Sequence, residues 1–83
     1  LRRLARAAKT HATALVAGYA ERDGARIYNS AACFGPDGAR LANHRKLQLY
    51  GPRERATYTP GDRYTIFGLG QETAAILICY DIE

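Results

Sequence analysis

Leu1, Leu4, Ala5 and Ala8 fall at the i, i+3, i+4, i+7 spacing of one helix face, and Arg2, Arg3, Arg6 and Lys9 lie mostly off it. The spacing predicts a surface helix running to about Thr10 or His11. Ala14-Leu15-Val16-Ala17-Gly18-Tyr19-Ala20 is an apolar run that predicts a buried strand. The polar Glu21-Arg22-Asp23-Gly24 stops it, and Asp23-Gly24 signals a hairpin. The returning strand, Arg26 to Phe34, alternates. Ile27, Asn29, Ala31 and Cys33 share one face, while Tyr28, Ser30, Ala32 and Phe34 share the other. Gly35-Pro36-Asp37-Gly38 is a second turn, short enough to make Arg40 to His44 an antiparallel third strand. Arg45 to Pro60 has no clean period and carries Gly51-Pro52 and Thr59-Pro60-Gly61. It predicts a long irregular loop with at most one short helical turn, and loops of that kind usually carry function or move. Arg63 to Phe67 predicts a short strand, and Gly68-Leu69-Gly70 a turn whose glycine spacing does not suit a phosphate loop. Ala74 to Ile78 is an unbroken apolar run with β-branched residues, the pattern of a strand buried on both faces.

With 83 residues the chain is one small domain or a piece of a larger one, and residues 1–83 read as a single partial domain. A chain of this size buries only about 60% of its extended surface. Hydrophobic residues at 47% and charged residues at 24% indicate a globular fold. Cys33 and Cys79 make no disulfide framework, and His11 and His44 stand alone without metal-ligand spacing. Reduced cysteines point to a cytoplasmic setting. No apolar run approaches the ~20 residues of a membrane span. Leu1-Arg2-Arg3-Leu4-Ala5-Arg6 has neither an initiator Met nor a secretory apolar region, so the chain reads as beginning in the middle of something. The net charge of +4 is spread over dispersed basic residues with acids between them, which argues against nucleic acid as the partner. A basic helix can bind membranes or acidic partners, but a solvated face on a packed helix is the commoner case.

Cys79 follows the last apolar run and precedes Asp81 and Glu83, a composition that opens a helix. A sulfur at such an elbow would sit at a sheet edge under the positive end of a helix dipole, which favours thiolate. By itself, a buried cysteine acting as a small hydrophobe is the commoner reading. Lys46 stands where a strand enters the irregular loop, Glu54 is eight residues on, and Cys79 is thirty-three beyond Lys46. Thiolate, ammonium and carboxylate are the parts of acyl transfer, though spacing alone does not make that case. His44 reads as structural or exposed, with an acid–base role the lesser alternative. Cys33 reads as a core residue, and the tyrosines as amphipathic packing groups.

His44-Arg45-Lys46-Leu47-Gln48-Leu49-Tyr50-Gly51-Pro52-Arg53-Glu54, Tyr58-Thr59-Pro60-Gly61 and Ile78-Cys79-Tyr80-Asp81 closely resemble the carbon–nitrogen hydrolase (nitrilase) superfamily. Val16-Ala17-Gly18-Tyr19-Ala20-Glu21 and Ile27-Tyr28-Asn29-Ser30-Ala31 extend the resemblance to nearly the whole chain, in order. The resemblance implies an α/β fold, part of a four-layer α-β-β-α sandwich, in a dimer or larger homo-oligomer. It implies a Glu-Lys-Cys triad. Cys79 would be the nucleophile that forms a thioester, and Lys46 would hold the oxyanion with the backbone N–H of Tyr80. Glu54 would be the family's additional glutamate, which positions substrate and triad. The general-base glutamate would precede the first helix and lie outside this chain, since Glu21 is only twenty-five positions before Lys46. The chain also stops before the second half of such a sandwich, so it reads as a central portion that is inactive alone. The implied reaction is hydrolysis of a small-molecule amide without metal or cofactor, and without nucleic acid or membrane as partner. Cys79-Tyr80-Asp81 resembles the amidase and ω-amidase side rather than nitrilases, in which Trp-Glu typically follows the cysteine; carbamoyl and nitrile substrates stay open. The rival reading is a non-catalytic basic binding module or an inactive fragment.

Overall fold

The computed structural model describes residues 1–82. The elements run α1 (Arg2–Thr10), β1 (Leu15–Asp23), β2 (Arg26–Phe34), β3 (Arg40–Arg45), α2 (Gly51–Thr57), β4 (Thr65–Leu69), β5 (Glu72–Ile76) and a 3₁₀ turn over Cys79–Ile82. β1, β2 and β3 form an antiparallel sheet in that order, and β4 pairs with β5 in a second. β2 therefore lies in the middle of the larger sheet, which explains why its alternating faces are both apolar.

One face of β2 meets α1: Ala32 and Phe34 pack with Ala8, joined by Leu4, Ala5, Leu15 and Tyr19. The stripe read from the sequence is thus the buried side of the helix. The opposite face, Ala31 and Cys33, packs on Ile76 of β5 with Ala42, Phe67 and Ile78. Helix, sheet and second sheet make three stacked layers of an α/β architecture.

Several boundaries differ from the sequence expectation. β1 continues through the polar Glu21, Arg22 and Asp23, because Glu21 and Asp23 find partners across the sheet on Arg45. The turn is only Gly24-Ala25, with Gly24 at φ +63°. The β4–β5 hairpin follows the same grammar: Leu69 pairs with Glu72 around Gly70-Gln71, with Gly70 at φ +62°, so Gly68 and Leu69 belong to the strand. The stretch from Arg45 to Pro60 contains seven-residue α2, which Pro52 in the first turn and Glu54 accepting the Tyr50 N–H (2.9 Å) help to start. β5 ends at Ile76 and is not buried on both faces. Ile76 points inward, whereas Ala75 and Leu77 are exposed, because no described residue packs over the outer side of the second sheet. The helix expected after Cys79 is, within the described residues, a single four-residue 3₁₀ turn, too short for a macrodipole argument. Glu83, which the expected helix includes, lies outside the described residues.

Candidate functional site

Lys46 comes directly after β3 and extends its ladder, donating its N–H to the Asn29 carbonyl (2.8 Å). Its own carbonyl accepts the Gly61 N–H (2.8 Å), which lays the Thr59-Pro60-Gly61 loop along the strand end. Only glycine permits that approach, since a Cβ on Gly61 would stand 2.4 Å from the Arg45 carbonyl oxygen. The Lys46 side chain is 2% exposed, and its Nζ donates to Glu54 Oε1 at 2.5 Å. A buried ammonium needs such a partner, because removal from water disfavours the charge. Lys46, with the Tyr50 N–H behind it, holds the Glu54 carboxyl below its ordinary range, against burial and the nearby Asp81 charge. The partners come from the start of the loop and from α2 within it.

Cys79 is exposed and has φ +47°, a left-handed conformation that costs a non-glycine residue energy. The chain leaves β5 and passes through the left-handed, exposed Cys79 into the 3₁₀ turn. Cys33 differs: it is wholly buried, and burial pushes its thiol up. Tyr80 follows Cys79 in the 3₁₀ turn, and its side chain lies outside the described residues.

Two residues that sequence reasoning left aside join these parts. The side chains of His44 and Asp81 are both fully buried, and the His44 Nε2–H donates to Asp81 Oδ2 at 2.7 Å. His44 Nδ1 meets the Thr65 hydroxyl at 2.9 Å on β4. Asp81 Oδ1 accepts the N–H groups of Leu47 (2.9 Å) and Gln48 (2.8 Å), and Oδ2 also accepts that of Ile78 (3.1 Å). Burial pushes the Asp81 carboxyl up, but His44 and the three amides outweigh it and hold the group below its ordinary range. His44 is thus structural and buried, not exposed. The available signal was its place two residues before Lys46, on one face of a strand; the partner thirty-seven residues away was not readable.

A second polar cluster occupies the α1 side of the sheet beyond the helix. Glu21 accepts from Arg45, Ser30 and Asn43, and Arg45 stacks 3.9 Å over the Tyr28 ring while also reaching Asp23. These charges satisfy one another, and the cluster lies on the sheet face opposite the one that carries His44. Among the described residues no helix is long and apolar enough to cross a membrane.

Known proteins resemble the chain along its whole length. The family model described as carbon–nitrogen hydrolase matches residues 1–83. The chain is 40% identical over 83 residues to an (R)-stereoselective amidase of Pseudomonas sp., covering 100% of this chain and 30% of that protein. It is 36% identical over 90 residues to omega-amidase NIT2 of Xenopus tropicalis, covering 98% of this chain and 33% of that one. A solved mutant of the amidase from Nesterenkonia sp. AN1, with acrylamide added at its active-site cysteine, superposes with a TM-score of 0.89 at 32% identity. That match covers 98% of this chain and 33% of the amidase. The chain spans about a third of the length of these relatives. A family match running from end to end, and a shared fold at more than 30% identity, establish that the chain belongs to the carbon–nitrogen hydrolase family.

Proposed function

We propose that this chain is the central part of an amidase that hydrolyses small linear amides through a cysteine acyl-enzyme. The observation that carries the reading is Cys79: an exposed thiol at a strained elbow, next to a turn pinned to the residues beside Lys46. In the reaction the Cys79 thiolate attacks the amide carbonyl. The tetrahedral oxyanion is held by the Lys46 ammonium and the N–H of Tyr80. Glu54 accepts from Lys46 Nζ and holds it in place, and a glutamate outside these residues takes the thiol proton and passes it to the departing nitrogen. Ammonia or an amine leaves, and water cleaves the thioester to the acid. A small-molecule amide is the substrate class of the similar amidases and needs no cofactor in this scheme.

The test uses the complete protein that contains this chain. Ammonia release from short aliphatic amides is measured for wild type and for Cys79→Ala, and fluoroacetamide-treated protein is mapped by mass spectrometry. Turnover that vanishes in Cys79→Ala, with the adduct on the Cys79 peptide, is the expected result. Turnover that survives Cys79→Ala overturns the reading. A wild-type protein that hydrolyses nitriles but not amides would overturn the amide assignment alone. A protein that binds acidic partners in a salt-dependent way, indifferent to Cys79→Ala and without turnover, would be the basic binding module instead.

A further inference from the structure

Asp81 ends one side of the elbow, and among the described residues its carboxylate accepts hydrogen bonds from close neighbours of Lys46 and Cys79. On the lysine side it accepts from Leu47 and Gln48, the two residues after Lys46, and from His44, two residues before it. On the cysteine side it accepts the N–H of Ile78, the residue before Cys79, while its own N–H donates to the Ile78 carbonyl at 3.0 Å. Ile78 and Asp81 thus close a ring around Cys79, whose φ of +47° would otherwise relax toward an extended or helical value. His44 carries the tie further: an ionised carboxylate only accepts, so its Nε2 holds the proton, and Nδ1 faces the Thr65 hydroxyl on β4. Neither side chain reaches solvent, so neither is placed to touch substrate.

We propose that Asp81, braced by His44, is a positioning residue that holds Cys79 in its left-handed conformation and sets its register against Lys46. This inference rests on the amidase reading for its kinetic consequences but not for its geometric ones. A carboxylate suits the task because its two oxygens offer about four acceptor positions in one plane, and here they are filled by one imidazole and three amides. The mechanical consequence is that the strain at Cys79 is over-determined by bonds from two separate stretches of chain, which is how such strain persists. The catalytic consequence is that the attacking sulfur and the oxyanion ammonium keep a common frame, and a misplacement of about 1 Å between reacting groups costs roughly 10²-fold in rate.

The experiment again uses the complete protein. Asp81→Asn keeps the shape but presents an NH₂ either to the Leu47 and Gln48 N–H groups or to the Ile78 N–H and His44 Nε2–H, and each pair needs an acceptor. For the folded variant, kcat on an aliphatic amide falls about 10²-fold with KM changed less than about threefold. Iodoacetamide modification of Cys79 slows about tenfold or more relative to wild type, while Cys33 stays unreactive. His44→Gln, whose amide N–H still reaches Asp81, retains most of the kcat that His44→Leu loses, a rescue that loss of stability alone would not produce. A folded Asp81→Asn with kcat within threefold of wild type and unchanged alkylation overturns the proposal. If Asp81→Asn does not fold, the His44 pair decides: equal loss in Gln and Leu variants overturns it. If the wild-type protein releases no ammonia from any amide, the function reading fails by itself, and alkylation of Cys79 in the same variants still decides the positioning role.

Discussion

Lys46 illustrates how a single side chain is specified by its surroundings. An ammonium 2% exposed is tolerable because Glu54 Oε1 lies 2.5 Å from its Nζ. If its ammonium holds the oxyanion as proposed, Lys46→Ala in the complete protein should lower kcat by about 10²-fold or more, as loss of one oxyanion donor does. Lys46→Arg should also be poor, because a planar fork neither fits the buried site nor replaces a compact point charge. Steady-state kinetics on an aliphatic amide checks both, and an arginine enzyme with near-normal kcat would reduce Lys46 to an attractor of substrate. Glu54→Gln separates the pair further: it removes the counter-charge but keeps an acceptor near Nζ, so a smaller kcat loss than in Lys46→Ala is expected.

Among the elements, the loop after β3 depends on Gly61, and Glu21 ties β1 to its neighbours in the sheet. Gly61→Ala places a methyl group 2.4 Å from the Arg45 carbonyl and 2.8 Å from the Arg45 Cβ, so backbone must move. The expected cost is about 1–3 kcal/mol, together with a fall in kcat because Lys46 shares the displaced hydrogen bond. Thermal unfolding and kinetics of the same variant measure the two effects, and an unchanged melting temperature would contradict the close approach. Glu21 secures β1 to β3: Arg45 foremost, with Ser30 and Asn43 and against burial, brings its carboxyl from 4.5 down to about 2. A depressed carboxylate contributes stability that is present above its unfolded value and lost as pH falls toward the folded one. Stability should therefore decline between about pH 4.5 and about pH 2, and Glu21→Gln should make that part of the profile shallower. Melting temperatures across this range check it; parallel profiles for the two proteins would show that Glu21 contributes nothing.

At the scale of the whole molecule, three layers leave one side of the stack uncovered. Ile66 is 69% exposed and Leu77 47% exposed on the outer side of the second sheet, and Val16 is 56% exposed on β1. Together with the open edges of both sheets, this is surface that templates association. The 83-residue chain made alone should therefore associate rather than remain a monomer, and should not hydrolyse any amide. Light scattering and an ammonia assay, repeated with the remaining segments of the complete protein supplied in trans, measure both. Turnover by the lone chain that disappears in Cys79→Ala would mean that an acid within it, Glu54 first, serves as base.

The sequence by itself determined the hairpins, the amphipathic helix and the two-faced centre of β2, because period and turn chemistry are local properties written in neighbouring residues. It also singled out Cys79, Lys46 and Glu54, through motifs that carry the family resemblance. What it did not determine depends on residues far apart in the chain. Polar Glu21 and Asp23 read as the end of β1, yet they remain in the strand because Arg45 answers them from two strands away. Residues 51 to 57 lack an apolar stripe, and they form a helix because Pro52 and Glu54 start it. Cys79 was expected to owe its setting to a helix dipole; the structure replaces that with backbone strain at φ +47°, held by Asp81. His44 and Asp81 lie in two separate motifs, and nothing in the sequence pairs them. Only the stacking of the second sheet on the first buries them together, and burial is what turns an ordinary histidine and aspartate into an obligatory pair.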